Sequence, residues 1–328
     1  MKVNFKIDSF IFAIIAIIIV AYFFPKFGQS DSRFPLNTIS SVGVSLIFFF
    51  YGLKLSPEKL KSGLSNWKLH LLVQLSTFLL FPLIILVFYP LARTENGQIL
   101  WLAFFFLAAL PSTVSSSVVM VSIAKGNIPA AIFNAGISGL IGIMITPLWI
   151  GLFLTHTTDN FDLGSIYLKL ISEIFVPIII GISLQKYFGK FAVRNIRYLT
   201  LFDKSVILLI IYKSFAESFE GEVFKSLGIN DMIFVFAATV ALFFFVYTLT
   251  GYFSSLLKFN SEDRITAQFC GTKKSLVHGT VFSKILMPES VSLGIILLPL
   301  MLFHAIQILI ISFFATKLAR RTKSKIQN

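Results

Sequence analysis

The stretch TAQFCGTKKSLVHGTVF, residues 266–282, places two adjacent lysines in the middle of an otherwise apolar segment. Lys273 and Lys274 lie about ten residues from either end of the predicted span, residues 264–286, which is roughly 15 Å at the rise of an α-helix. A lysine stem is too short to carry its ammonium to the lipid headgroups from such a depth. The two side chains are therefore expected to meet a cavity, a carboxylate or the carbonyl end of a broken helix.

The composition indicates a membrane protein. The chain has 328 residues, of which 56% are hydrophobic and 13% are charged. Soluble domains average about 45–50% apolar and about 25% charged residues. Apolar runs of roughly 20 residues, the length that crosses a hydrocarbon core, recur along the chain. We predict an all-α polytopic protein that lies in a lipid bilayer and has no nucleic-acid partner, although its net charge is +13.

Ten transmembrane helices are predicted from these runs. Their ranges are 8–26, 34–53, 67–90, 98–124, 127–154, 165–187, 201–218, 231–257, 264–286 and 290–317. If the N-terminus lies inside, most of the 28 lysines and arginines fall in segments on the inner side. That distribution follows the positive-inside rule. It predicts a multi-pass protein of the cell inner or plasma membrane with both termini in the cytoplasm.

The ten helices divide into two halves of five, residues 1–160 and 161–328, within one integral membrane domain. Because five is odd, the second half begins on the opposite side of the membrane, which makes the halves an inverted repeat. The fourth helix carries LAALPSTVSSSVVMVSIAKGN, residues 107–127, and its counterpart is the ninth helix, which carries the stretch quoted first. Both contain a helix breaker followed by small polar residues. Paired interruptions of this kind point to a transporter binding site.

The fourth helix is predicted to break at Pro111, which lacks an N–H group and clashes with the preceding turn. The hydroxyl residues that follow are Ser112, Thr113, Ser115, Ser116 and Ser117. A break in a spanning helix has to face protein or a water-filled cavity. There the freed carbonyls suit a cation, and the N-terminal end of the next half-helix suits an anion. The alternative is a proline kink whose serines bond back to the chain.

In the ninth helix Gly271 is the predicted break. The alternative is a short helix that begins near Leu276 and leaves both lysines in a cytoplasmic loop. The apolar residues of RITAQF, which precede the pair, argue against that alternative, because the span that remains without them is too short.

Four further polar residues lie inside predicted spans. Asn134 in the fifth helix is either interhelical glue or an ion ligand, and Gln74 lies in the third helix. His304 and Gln307 in the tenth helix share a face because they are three residues apart. His304 is open to two interpretations, a buried packing residue or a ligand.

The motifs resemble a known family. LPSTVSSSVVMVSIAKGNIPAAIFNAGISGLIGIMITPL is similar to the fourth and fifth helices of the bile acid:sodium symporter family. QFCGTKKSLVHGTVFSKILM, GIILLPLMLFHAIQILI and GVSLIFFFYGLKLSPEKL resemble its ninth, tenth and second helices. The resemblance covers nearly the whole chain and is strongest to the SBF-like branch of orphan members. It implies two inverted five-helix repeats, a core domain and a panel domain, with the fourth and ninth helices unwound and crossing in the core.

The resemblance also implies two sodium sites near the crossing. The residues that match the first site are Ser116, Ser117, Asn134 and Ser138, although the assignment within the serines 115–117 stays open. Gln74 resembles a ligand of the second site. The ninth helix departs from the sodium-coupled pattern, which has a glutamate before the glycine and a glutamine and an asparagine after it. Here Phe269, Lys273 and Lys274 stand at those positions, and an ammonium is expected to replace a bound sodium.

These features predict a secondary transporter of a small organic anion that works by alternating access. The expected substrate-binding residues are Ser112, Thr113, Thr272, Lys273, Lys274, Ser275, His304 and Gln307. Coupling is expected to use sodium at no more than one site, or to be sodium-independent and proton-linked. No other cofactor is expected, and a monomer is favoured. The alternative is a membrane scaffold or a regulator of another transport system. No enzyme motif, such as paired acids or HExxH, lies on any span.

Overall fold

The structure, a computed structural model, describes residues 9–28, 35–55, 66–113, 115–154, 163–288 and 291–327. The regular structure of these residues is helical, and no strand occurs among them. The α-helices are α1 Ser9–Phe23, α2 Leu36–Lys54, α3 Trp67–Leu75, α4 Phe81–Val87, α5 Glu95–Ala109, α6 Ser115–Ile123, α7 Ile128–Leu154, α8 Leu163–Leu170, α9 Val176–Arg194, α10 Ile196–Glu220, α11 Ile229–Leu256, α12 Ser261–Gly271, α13 Leu276–Leu286 and α14 Leu293–Gln327. A π-helical turn, Ser76–Leu80, joins α3 to α4, and a second, Ile171–Phe175, joins α8 to α9.

Six helical segments in the described part of the chain are long and apolar enough to cross a membrane. They are Leu36–Lys54, Trp67–Leu91, Ile128–Leu154, Gly164–Arg194, Ile229–Leu256 and Leu293–Ala319. A spanning segment has to be helical because lipid offers no hydrogen-bond partner to a bare backbone. The chain is therefore a polytopic α-helical membrane protein.

Some helices extend beyond the predicted boundaries. The connection predicted at residues 188–200 is helical except at Asn195, since α9 runs to Arg194 and α10 begins at Ile196. The charged side chains at this junction, Lys186, Lys190, Arg194 and Arg197, are exposed. Hydropathy marks only the apolar part of a helix, so it misses turns that continue beyond the hydrocarbon core.

Each of the two motifs quoted above contains a short non-helical segment. Helix α5 ends at Ala109 and α6 begins at Ser115, while α12 ends at Gly271 and α13 begins at Leu276. The two non-helical segments lie against each other: Ser275 N–H donates to the Pro111 carbonyl at 2.9 Å, and the Ser112 hydroxyl donates to the Cys270 carbonyl at 2.6 Å. Backbone groups that the two breaks free are thus satisfied within the protein.

The helices pack in two groups. In the first group, α2 packs on α9 and α10, and α1 packs on α10. Gly52 of α2 and Gly181 of α9 allow the closest approach, because a Cβ on either glycine would run into the backbone of the other helix. In the second group, α3 to α7 pack with α11 to α14 around the two interruptions.

A buried carboxylate fixes one end of the second group. Asp263 near the start of α12 accepts from the Asn66 amide at 2.6 Å and from the Asn127 amide at 2.8 Å. Asn66 also caps α3, and Asn127 caps α7. One acid therefore ties together the starts of three helices that carry the residues of the crossing.

Candidate functional site

The carbonyl end of α5 lies where the two non-helical segments meet. Helix α5 stops before Pro111, which has no N–H to continue the ladder, so the last carbonyls of the helix need other partners. The Ala109 carbonyl accepts from the Thr146 hydroxyl at 2.7 Å. The carbonyls of Ala108 and Leu110 both accept from the Lys274 ammonium, at 2.6 and 2.8 Å. A cation thus lies at the negative end of the α5 dipole.

Lys274 Nζ has a third carbonyl partner, Thr77, at 2.7 Å. In the π-helical turn the Phe81 N–H bonds to the Ser76 carbonyl. The next N–H in this pattern, at position 82, is missing because Pro82 has none, so the Thr77 carbonyl is free for the lysine. The Phe81 ring adds a cation–π contact at 4.2 Å from its centroid. The three protons of the Lys274 ammonium therefore match three carbonyls, and the side chain is 0% exposed.

The backbone of Lys274 is held by α14. The Gln307 side chain accepts from the Lys274 N–H at 2.8 Å and donates to the Lys274 carbonyl at 2.9 Å. The same amide nitrogen lies 3.1 Å from Nδ1 of His304. Gln307 and His304 thus support the unwound segment, and Gln307 replaces the hydrogen bonds that a continuous helix would give Lys274.

Lys273 has a different environment, although it is also 0% exposed. Its ammonium donates one long hydrogen bond, 3.4 Å, to the Ser116 hydroxyl. Ser116 lies in the first turn of α6, the positive end of that helix dipole. Among the described residues neither Lys273 nor Lys274 forms an ion pair with a carboxylate. Lys273 is therefore a buried cation whose surroundings in this structure do little to offset its charge.

Hydroxyl groups surround the start of α6. Thr113 Oγ1 lies 3.0 Å from Ser116 Oγ and 2.8 Å from Ser117 Oγ. The Ser112 N–H donates to Ser138 Oγ at 2.9 Å, which links the break to α7. These hydroxyls form a cluster of small polar groups beside Lys273.

Two of the residues that resemble sodium ligands lie on neighbouring helices. The Gln74 amide nitrogen donates to Asn134 Oδ1 at 3.1 Å. Asn134 Nδ2 lies 3.0 Å from the Ala130 carbonyl and 2.9 Å from His70 Nδ1. The remaining oxygen of Gln74, Oε1, is buried and has no hydrogen-bond partner in the described part of the chain. Its lone pairs are of the kind that a hard cation uses.

The remaining predicted site residues have local roles. The Thr272 hydroxyl donates to the Gln268 carbonyl at 2.7 Å, which closes the end of α12. Ser275 caps α13 by accepting from the His278 N–H at 3.3 Å. Phe269, at the position of the expected glutamate, is fully buried. α13 begins at Leu276, as in the alternative of a short helix, but α12 precedes it and both lysine side chains are buried in the protein.

Three residues of this site were not predicted from the sequence: Thr77, Phe81 and Thr146. Thr77 carried a signal, because it lies five residues before a proline and a free carbonyl in a spanning helix needs a partner. Phe81 and Thr146 carried none, since one aromatic or hydroxyl residue among many in apolar helices is not distinctive.

Known proteins match the chain over almost its whole length. Residues 8–320 match the SBF-like CPA transporter family. Protein PA2026 of Pseudomonas aeruginosa is 35% identical over 97% of this chain and 95% of its own length. YfeH of Escherichia coli is 32% identical over 98% and 96%. Sodium/bile acid cotransporter 7-B of Xenopus laevis is 32% identical over 92% and 89%. The chain belongs to the SBF-like CPA transporter family, and its interrupted, buried helices are consistent with a transporter.

Proposed function

We propose that the protein is a secondary active transporter that carries a small organic anion across the membrane by alternating access. The observation that carries the proposal is Lys273, a fully buried cation with one long hydrogen bond, beside the positive end of α6. An ammonium in a low-dielectric site requires a counter-charge. An anionic substrate supplies this counter-charge while it is bound, and the counter-charge is lost when the substrate is released.

In this proposal the chain has ten spans in two inverted repeats, residues 1–160 and 161–328. Helices α5 with α6, and α12 with α13, are the broken fourth and ninth spans. The group of α1, α2, α9 and α10 is the panel, and the second group is the core. Alternating access is then a movement of the core against the panel, with the crossing near the midplane. Both termini lie in the cytoplasm, and the working unit is a monomer.

The substrate contacts are assigned to the Lys273 side of the crossing. The lysine supplies the point charge, and the hydroxyls of Thr113 and Ser116 beside it supply hydrogen bonds. The other proposed residues, Ser112, Thr272, Lys274, Ser275, His304 and Gln307, hold the unwound segments in position. Specificity therefore arises from one cation and several neutral donors at this place.

The coupling ion is assigned to at most one sodium. Lys274 occupies the three carbonyls that a second cation would need. Ser116, Ser117, Asn134 and Ser138 offer oxygens for one site, and Gln74 belongs to the second. If no sodium binds, proton exchange on Lys273 is the remaining route to coupling.

Uptake into proteoliposomes tests the proposal. The probes are labelled cholate, taurocholate, benzoate and succinate, since six relatives are named for sodium and bile acids. Each is tested with an imposed sodium gradient, with an imposed pH gradient and with neither. Uptake of at least one probe that Lys273→Met abolishes, and that the exposed control Lys225→Met retains, supports the proposal. Absence of uptake of every probe under all gradients favours the scaffold alternative.

A further inference from the structure

The imidazole of His278, a buried polar group apart from the two lysines, faces the boundary between the two helix groups. His278, the third residue of α13, is 3% exposed, and its Nε2 atom has no hydrogen-bond partner among the described residues. A buried polar atom without a partner costs about 1–3 kcal/mol. Such an atom in a moving protein indicates a partner that is present in another state of the transport cycle.

Either tautomer of His278 fits its contact with Ser275, and we assign the one in which the Ser275 hydroxyl is the donor. Ser275 Oγ accepts from the His278 N–H and lies 2.9 Å from Nδ1 of the same residue. If the hydroxyl donates its proton to Nδ1, every polar atom of this cap is used. In that arrangement the neutral imidazole carries its proton on Nε2. The unpartnered atom is then an N–H donor.

Nε2 faces Gly139 of α7 and Tyr51 of α2. A Cβ placed on Gly139 would lie 2.9 Å from His278 Nε2 and 3.1 Å from Tyr51 Oη. The two polar atoms therefore lie no more than about 6 Å apart, so a small shift between α2 and α13 lets one oxygen bridge them with two hydrogen bonds of ordinary length. The Tyr51 hydroxyl donates across the boundary to the Gly136 carbonyl at 2.7 Å.

Aromatic rings line the same place. The centroid of the His278 ring lies 5.4 Å from that of Phe48 and 5.7 Å from that of Phe282. Phe48 belongs to α2 and Phe282 to α13, so the lining comes from both helix groups. The local chemistry is a pair of hydrogen-bond donors in an apolar frame.

We propose that His278 and Tyr51 form a subsite that binds an oxygen of the substrate's carboxylate or sulfonate group when the two helix groups separate. Because Tyr51 and His278 belong to different helix groups, a separation of about the width of one oxygen atom breaks the bond from Tyr51 to Gly136 and still keeps the hydroxyl and the Nε2–H within reach of that oxygen. Two neutral donors then face one gap. An oxyanion accepts from both, and the rings of Phe48 and Phe282 contact its apolar part. This subsite rests on the function proposed above, and it adds neutral donors from both helix groups to the charge of Lys273.

Binding by the purified full-length protein tests the subsite, with cholate, taurocholate, benzoate and succinate as separate probes. The variant His278→Phe keeps an aromatic ring but removes the donor, and His278→Gln keeps a donor. We expect His278→Phe to weaken binding of the tightest probe at least tenfold and His278→Gln to recover part of the loss. Gly139→Ala, which fills the gap, is expected to weaken binding likewise. The control Tyr247→Phe, whose ring packs on Phe243 away from the boundary, should bind as the wild type does.

The ring nitrogens of the wild-type protein give a measurement that does not depend on the folding of a variant. In protein labelled with ¹⁵N-histidine, the bound probe should shift the Nε2 signal of His278, assigned by its absence in His278→Gln. If a probe binds but the His278 signal stays unchanged and all variants bind within twofold of the wild type, the subsite is wrong while the proposed function stands. If no probe binds to the wild type, the anion-carrier proposal fails and the subsite fails with it.

Discussion

Lys273 and Lys274 are neighbours in sequence and equally buried, but the two ammonium groups lie at opposite ends of broken helices. Lys274 is at the carbonyl end of α5, where three carbonyls and the Phe81 ring surround it. Lys273 is beside the first turn of α6, where one hydroxyl contacts it at 3.4 Å. The difference suggests that one lysine completes the fold and the other is kept available for a ligand.

Removing the ammonium of Lys274 gives the largest expected effect, because it tests the structural role of this lysine. A buried group left without its partner costs about 1–3 kcal/mol, and breaking a buried charged contact costs about 3–5 kcal/mol. Lys274→Met keeps the length and apolar stem but leaves three carbonyls bare. We expect the free energy of unfolding to fall by about 4 kcal/mol on these grounds. Denaturant unfolding in detergent measures it.

The matched variant is Lys273→Met, which breaks one long hydrogen bond. Its free energy of unfolding is expected to equal or exceed that of the wild type, because the variant removes a buried charge that little in its surroundings offsets. Equal losses in the two variants would remove the distinction between a structural and a ligand-binding lysine.

The hydrogen bonds of Gln307 to the backbone of Lys274 give the next largest effect on stability. Gln307→Leu leaves the N–H and the carbonyl of Lys274 without partners, so we expect a loss of about 2 kcal/mol in unfolding free energy. The exposed Gln98→Leu serves as the control. A loss no larger than that of the control would show that the unwound segment does not depend on α14.

The sequence revealed the positions of the two breaks but not the division between the lysines. Pro111 and Gly271 break their helices through local backbone chemistry, which can be read from the residues themselves. The directions of two adjacent side chains in a non-helical segment depend on distant residues instead. Thr77 and Gln307, which together fix Lys274, are 197 and 33 residues away along the chain. For the same reason the sequence could not indicate that His278 of α13 and Tyr51 of α2 lie side by side.

Anion binding tests the proposed role of Lys273 in holding a ligand. Lys273→Met removes the proposed counter-charge, so the dissociation constant of the tightest probe among cholate, taurocholate, benzoate and succinate should rise at least tenfold, about 1.4 kcal/mol. Calorimetric titration of the purified protein measures the change, and Lys225→Met is the charge-matched control. Unchanged affinity in Lys273→Met would assign the anion to another part of the molecule.

The smallest expected effect is the response to sodium. An ammonium about 4 Å from a sodium ion repels it by about 4 kcal/mol at an effective dielectric constant near 20. A second sodium therefore does not bind while Lys274 holds the carbonyls of Thr77, Ala108 and Leu110. A sodium titration of substrate binding should give a Hill slope no greater than one, or no response.

A triple variant, Phe269→Glu, Lys273→Gln, Lys274→Asn, removes the difference between the two lysines. It replaces both of them, and Phe269, with the residues of the sodium-coupled pattern. The two amides and the carboxylate supply oxygens, and the loss of the ammonium frees three carbonyls, so a hard cation regains its ligands. We expect sodium at ten times its dissociation constant for the restored site to stabilise this variant by about 1.4 kcal/mol more than it stabilises the wild type, each measured relative to potassium. Thermal unfolding in sodium and in potassium chloride at equal ionic strength measures the difference. A wild-type Hill slope near two would mean that Lys274 does not take the place of an ion, and a triple variant that is insensitive to sodium would mean that the three positions alone do not make a cation site.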